Sequence, residues 1–174
     1  SEVSDAVAQL HAAGVEHVAM LSGDQEDVAA QVAESAGLDS YKAGLLPADK
    51  VEELEKILAQ SEEGTVAYVG DGINDAPALA RADVGIAMGA FGTDAARETA
   101  DIVLMTDAIS RVADAIQLGK RTRRIVWQNI GMALGIKLVF ILLGVAGAAT
   151  MWEAVFADVG VTVLAVLNAS RAMR

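Results

Sequence analysis

The sequence contains no cysteine, so neither a disulfide nor a thiolate metal site can be built within these residues. Aromatic residues make up only 4% of it, and no basic stripe with interleaved aromatics occurs, which argues against a nucleic-acid partner. No N-terminal signal is present: Ser1 to Leu10 is polar and reads as helix interior, so the chain is expected to be a fragment that opens within an architecture. Basic residues are scarce in the front part. Residues 1–119 carry 6 Lys+Arg against 22 Asp+Glu, a net of −16, whereas residues 120–174 carry 7 against 2, a net of +5. The overall −11 therefore averages an acidic, soluble part and an apolar part with basic ends.

Charge is nearly absent from two later runs. Ile125 to Ala149 holds one formal charge, Lys137, and Trp152 to Ala169 holds one well inside it, Asp158. With only the short Thr150-Met151 connection between them, they read as a transmembrane helical hairpin. Lys120, Arg121, Arg123 and Arg124 precede the first run and Arg171 and Arg174 follow the second, which predicts both ends cytoplasmic and the turn outside. A charge at mid-membrane costs about 2.5–3.5 kcal/mol on insertion scales, so each needs a partner. Lys137 lies about 12 residues, roughly 18 Å, from either end, too far to reach water easily. The simplest arrangement pairs Lys137 with Asp158. Such a pair could be a structural device or part of a transport site.

The soluble part alternates. His17–Leu21 reads as a strand running into Ser22-Gly23-Asp24, then a helix over about Gln25–Ala36 ends at Gly37. Pro47-Ala48-Asp49-Lys50 opens another helix. Thr65–Val69 reads as a buried strand, followed by a helix from Ala76, a strand Val84–Ala87, a helix around Asp94–Ala100 and a strand Ile102–Leu104. This alternation predicts an α/β fold with a parallel sheet and helices on both faces. The amphipathic stretch Ile109–Leu118 then leads into the first membrane helix without a strong breaker.

The most informative string is Gly70-Asp71-Gly72-Ile73-Asn74-Asp75-Ala76-Pro77-Ala78-Leu79. It delivers two carboxylates and an amide to the C-terminal edge of a parallel sheet, where α/β domains bind ligands. Hard oxygen donors there suit Mg²⁺, which usually arrives with a phosphate. Two further points could converge on that phosphate: Ser22 with the backbone N–H of Gly23, and Lys50 in a first helical turn, where the helix dipole favours an anion. Singly, Ser22 could be a helix cap, Lys50 a surface lysine and Asn74 a turn former.

Jointly, in this order, these motifs resemble those of haloacid dehalogenase-like phosphotransferases, and the ten-residue string closely resembles the hinge motif of P-type cation-transporting ATPases. Ser22-Gly23-Asp24 resembles the Thr-Gly-Asp of that family, with serine keeping the hydroxyl. The resemblance implies a haloacid dehalogenase-like (Rossmann-like) portion of the phosphorylation domain over 1–119, and a stalk with the last two transmembrane helices over 120–174. It implies roles as well: Asp71 holding Mg²⁺, with Asp75 at the same Mg²⁺ site fixing the loop; Lys50 neutralising an aspartyl phosphate; and Ser22, Gly23 and Asn74 hydrogen-bonding its oxygens. The nucleophile is missing, since no strand followed by Asp-Lys-Thr-Gly-Thr occurs. The chain alone is therefore expected to be inactive, and ATP to be bound mainly by residues outside it.

The pattern Asn129, Lys137, Asp158-Val159-Gly160 resembles the last two helices of Zn²⁺/Cd²⁺/Pb²⁺-exporting heavy-metal ATPases. It implies Asp158 as a ligand of the transported metal and Lys137 as its counter-charge. Copper pumps would show an Asn-Tyr pair and a Met-Ser-rich last helix, both absent here. Calcium and alkali-cation pumps carry further helices, whereas the basic ending after Ala169 reads as a true terminus. The implied partners are the rest of the same pump (its nucleotide-binding and actuator domains and other membrane helices) and the lipid bilayer, with a bacterial inner membrane as the location. The alternatives are a copper-exporting pump fragment, a membrane-tethered phosphatase of the haloacid dehalogenase superfamily, and a non-catalytic regulatory half-pump.

Overall fold

The computed structural model describes every residue except Ser1, Glu62, Glu63, Gly72, Ile73, residues 90–97, Ala149 and Arg174. The chain divides into two compact units, Ser1–Asp114 and Ala115–Arg174. In the first unit the described elements run α1 (Glu2–Ala12), β1 (Ala19–Leu21), α2 (Glu26–Ala36), β2 (Ser40–Lys42), α3 (Pro47–Gln60), β3 (Ala67–Gly70), α4 (Ala76–Arg81), β4 (Val84–Met88) and β5 (Ile102–Leu104). Helix α5 (Ser110–Val145) begins in this unit and continues unbroken into the second, where α6 (Met151–Ala169) and a 3₁₀ turn (Ser170–Met173) follow. The expected helix around Asp94–Ala100 falls mostly on residues 94–97, outside the described residues.

Every strand pairing is parallel, as the alternating sequence requires, but the described strands form two sheets rather than one. β1 pairs with β2, and β3, β4 and β5 form a second sheet in that order. Leu21 of β1 nevertheless packs on the core of the second sheet, the cluster of Leu54, Tyr68, Ala78, Leu79 and Ala87. Burying a residue such as Leu54 or Leu79 contributes about 1.5–3 kcal/mol, so this small apolar centre carries much of the unit's stability. α2 is thin, its buried residues being Ala29, Ala33 and Ala36, whereas α1 buries Ala6, Val7 and Leu10. α2 ends where Gly37 turns left-handed at φ 72°, its N–H closing onto the last carbonyls.

The strand starts share a device. Asp39, Asp83 and Asp101 each stand one residue before a strand, and each carboxylate accepts a backbone N–H from the neighbouring strand. The donors are Val18 at 2.7 Å, Val66 at 2.9 Å and Gly85 at 2.8 Å. Main-chain bonds run the other way beside each of them, from Asp39, Val84 and Asp101 N–H to Val18, Val66 and Gly85 C=O. The carboxylate thus satisfies a ladder donor that the shorter strand cannot reach. Asp101→Ala is expected to lower stability by about 1–3 kcal/mol, the usual penalty for orphaning a part-buried donor. Asp101→Asn, which keeps an acceptor oxygen, should lose less. Thermal melts of the detergent-solubilised chain would read the difference, and equal loss in both would remove the capping role.

In the second unit, α5 and α6 are each long and apolar enough to cross a membrane. Thr150 caps α6: its Oγ1 accepts the Glu153 N–H at 3.4 Å, while the Glu153 carboxylate takes the Thr150 N–H at 2.7 Å.

Candidate functional site

The C-terminal ends of β1 and β3 carry the expected side chains. α3 begins at Pro47, and Asp49 Oδ2 accepts the Leu46 N–H at 2.9 Å, closing the helix start. Lys50 is therefore fixed in the first turn. Its ammonium donates to Asp75 Oδ1 at 2.9 Å, with 19% and 13% of the two side chains exposed. So enclosed a pair needs further hydrogen bonds to repay its desolvation. The Tyr68 phenol supplies one to the Asp75 carboxylate; burial first, and then the Asp75 charge, raise its pKa well above the ordinary range, so it remains a donor.

Gly70 makes this close approach possible. A Cβ there would lie 2.7 Å from Asp75 Oδ2 and 2.8 Å from Asp75 Cβ, so only glycine lets the carboxylate fold back over the strand end. Asp71 stands at the opposite end of the loop, exposed, its Oδ1 accepting the Asn74 N–H at 3.3 Å. Gly72 and Ile73, between them, lie outside the described residues. Ser22 follows β1; its hydroxyl donates to Asp24 Oδ2 at 2.8 Å and accepts the Asp24 N–H at 3.1 Å. Ser22 joins the α3 corner through the main chain, because the Leu45 N–H donates to its carbonyl at 3.0 Å. Gly23 is packed tightly there too, with Leu45 O 3.2 Å from where a Cβ would stand.

The structure thus brings Lys50 and Asp75 into direct contact and Asp71 and Asn74 into one turn, with Ser22 and Gly23 tied to the loop that leads into α3. Tyr68 reads in the sequence as part of the strand Thr65–Val69 and not as a site residue; its one signal is a polar-tipped aromatic two residues before the glycine on which Asp75 folds. Among the described residues no three acidic, histidine or cysteine side chains gather as a metal cluster. Asp71 offers one hard anionic donor at this strand end.

In the second unit Lys137 Nζ lies 3.0 Å from Asp158 Oδ1. More than half of each side chain is uncovered by this chain (55% and 58% exposed), so the pair is open to whatever packs beside the hairpin. Asn129 donates from Nδ2 to the Ala165 carbonyl at 3.1 Å.

Residues 1–83 match the model for haloacid dehalogenase-like hydrolases. Over 166 residues the chain is 61% identical to a zinc-transporting ATPase of Synechocystis, a match covering 95% of this chain and 23% of that protein. It is 57% identical to a cadmium, zinc and cobalt-transporting ATPase of Bacillus subtilis, covering 99% of this chain and 25% of that one. The crystal structure of a zinc-transporting PIB-type ATPase superposes with a TM-score of 0.88 at 44% identity, over 98% of this chain and 27% of that one. These relatives are P-type ATPases, and the chain is similar to them along nearly its whole length. It spans about a quarter of the length of the relatives it matches. The haloacid dehalogenase-like part and the apolar hairpin are both included in the superposition, so the likeness to a P-type ATPase extends through both units.

Proposed function

We propose that this chain is part of an ATP-driven pump exporting Zn²⁺, Cd²⁺ or Pb²⁺ through an aspartyl phosphate formed on a residue outside it. The observation that carries the reading is the joint presence, in one chain, of an enclosed Lys50–Asp75 pair beside Asp71 and a Lys137–Asp158 pair within an apolar hairpin. The first suits phosphate chemistry and the second a cation path. The relatives' names, zinc-transporting and cadmium, zinc and cobalt-transporting, support zinc and cadmium among these ions.

Among the described residues β1 hydrogen-bonds only β2 on its strand edges, and β3 only β4, although Leu21 shares the core beneath β3. Bare parallel edges inside a domain call for another strand. A nucleophile-bearing strand from the rest of the pump, laid between β1 and β3, would place its carboxylate beside Lys50. Within the completed site, Mg²⁺ held by Asp71 would neutralise charge on the transferring phosphoryl group. Lys50 is positioned by Asp75, which Tyr68 holds in turn, so its charge is aimed before the phosphate arrives. Ser22 Oγ, the Gly23 N–H and Asn74 serve as hydrogen-bond donors to the phosphate oxygens. In this reading 1–119 is phosphorylation domain and 120–174 is stalk and membrane hairpin. Its partners are the remaining domains and helices of the pump and the lipid, in a bacterial inner membrane with both hairpin ends cytoplasmic.

The test is ATP hydrolysis by the complete pump in lipid, with Zn²⁺, Cd²⁺, Pb²⁺ or Cu⁺ added singly. Stimulation by the divalent ions, together with an acid-stable phosphoenzyme and no hydrolysis by this chain alone, is the expected result. Stimulation by Cu⁺ alone, or phosphate-ester hydrolysis by this chain alone, would overturn it in favour of a copper pump or a tethered phosphatase.

A further inference from the structure

The hairpin holds a second polar device, separate from Lys137 and Asp158. Asn129 uses both ends of its amide: Nδ2 donates to the Ala165 carbonyl at 3.1 Å, and Oδ1 accepts from Asn168 Nδ2 at 2.9 Å. Asn168 Nδ2 also approaches Gln128 Oε1 at 3.4 Å, and its Oδ1 accepts from Arg171 Nη1 at 3.2 Å. Arg121 Nη2 then donates to the Arg171 carbonyl at 2.7 Å. Four of these five hydrogen bonds cross between α5 and the end of the chain, and both asparagines are half-buried among them.

Geometry links these bonds to the charged pair. Asn129 and Lys137 are eight residues apart on α5, about 12 Å, and Asp158 and Ala165 seven apart on α6, about 10.5 Å. Asp158, Val161, Ala165 and Asn168 recur at three- and four-residue spacings, so they share one face of α6. In an antiparallel hairpin those near-equal steps mean that fixing Asn129 against Ala165 sets Lys137 level with Asp158. Apolar helix faces slide with little penalty in lipid, whereas an interhelical amide bond specifies one register. The charged pair cannot set the register by itself if the pump's cation must displace Lys137 from Asp158.

We propose that Asn129 and Asn168 form a register clamp. They are positioning residues that hold α5 and α6 aligned while the Lys137–Asp158 contact opens and closes, and neither is a ligand of the transported ion. The amide oxygen that a ligand role would require of Asn129 is already accepting from Asn168. This rests on the transport reading above.

The test uses the complete pump. Asn168→Ala, ten residues from Asp158 along α6, is expected to raise the half-saturating Zn²⁺ concentration for ATPase stimulation about tenfold, and Asn129→Ala is expected to do the same. Phosphorylation by inorganic phosphate with Mg²⁺ but without Zn²⁺ should stay within twofold of the parent, which separates lost alignment from lost folding. Asn129→Asp should weaken Zn²⁺ dependence as alanine does, since the donor to Ala165 is gone. Normal Zn²⁺ dependence in Asn168→Ala, or tighter Zn²⁺ dependence in Asn129→Asp, would overturn the clamp. A readout without metal keeps its failure distinct from failure of the transport reading: spin labels at the exposed positions Leu134 and Val163 report alignment directly. Their distance distribution should broaden in Asn168→Ala; an unchanged distribution overturns the clamp even in a pump that no metal stimulates.

Discussion

Asp71→Ala in the complete pump is expected to reduce phosphoenzyme formation from ATP by at least about 100-fold, the scale on which single electrostatic contributors to a transition state act. Asp71 lies exposed at the strand end with its Oδ1 accepting the Asn74 N–H, so its removal takes no apolar side chain from the core around Leu54, Leu79 and Tyr68. Melting of the variant should match the parent. Asp75→Ala is a different experiment, because Asp75 meets Lys50 at 2.9 Å inside an enclosed corner. Removing it strands an ammonium and a phenol; breaking a fully buried pair from one side costs about 3–5 kcal/mol, and this part-buried one should cost somewhat less. Asp75→Ala should therefore lose stability and activity together, and Lys50→Ala should do the same. Lys50→Arg need not rescue, since a planar fork replaces a compact charge. Normal phosphoenzyme in Asp71→Ala would withdraw the Mg²⁺ role. A melt lowered in Asp71→Ala as far as in Asp75→Ala would erase the distinction between the two carboxylates.

That distinction was only half visible in the sequence. Asp71 and Asp75 read as neighbours at a strand end, and what separates them is a contact with Lys50, 25 positions earlier, that spacing cannot disclose. Elements with their own apolar signature were legible: β5 runs Ile102–Leu104 as read, and α3 starts at Pro47. β2, Ser40–Lys42, was not, because its residues carry no apolar run and its pairing with β1 is what makes it a strand. The division of the sheet was likewise hidden. Each strand can be read from its own residues, but whether β1 and β3 touch depends on what lies between them. The aspartates before β2, β4 and β5 did leave a trace, an apolar residue and then Asp ahead of each strand, as in Ala82-Asp83 and Ala100-Asp101. Its meaning emerges only once the neighbouring strand's N–H is seen to lack a partner. In the hairpin, the charged pair could be anticipated because two charges in lipid must find each other. Asn168 could not, since a polar residue near a helix end has water as an alternative.

The hairpin gives the second large effect, and it separates a transport site from a structural ion pair. Lys137 Nζ lies 3.0 Å from Asp158 Oδ1, so the carboxylate is neutralised from within the chain. An incoming divalent ion must displace that ammonium to use Asp158, and once the ion leaves the ammonium can return, sparing the membrane an unpaired carboxylate. Asp158→Ala is then expected to abolish metal stimulation of the ATPase and to lower metal occupancy measured on the purified pump by more than about 100-fold, beyond the 10–100-fold that losing a mere outer hydrogen-bond partner costs. Lys137→Ala should bind metal at least as well but release it slowly, with turnover falling while occupancy does not. A purely structural pair makes the opposite demand: either single change should destabilise the hairpin alike, and the exchanged pair Asp158→Lys with Lys137→Asp should recover activity. The exchange cannot restore a transport site, because it moves the mid-helix carboxylate to the other helix, away from the ligands that Asp158 would join. Metal-stimulated turnover in the exchanged pump, or full occupancy in Asp158→Ala, would therefore reduce Lys137 and Asp158 to a structural tie.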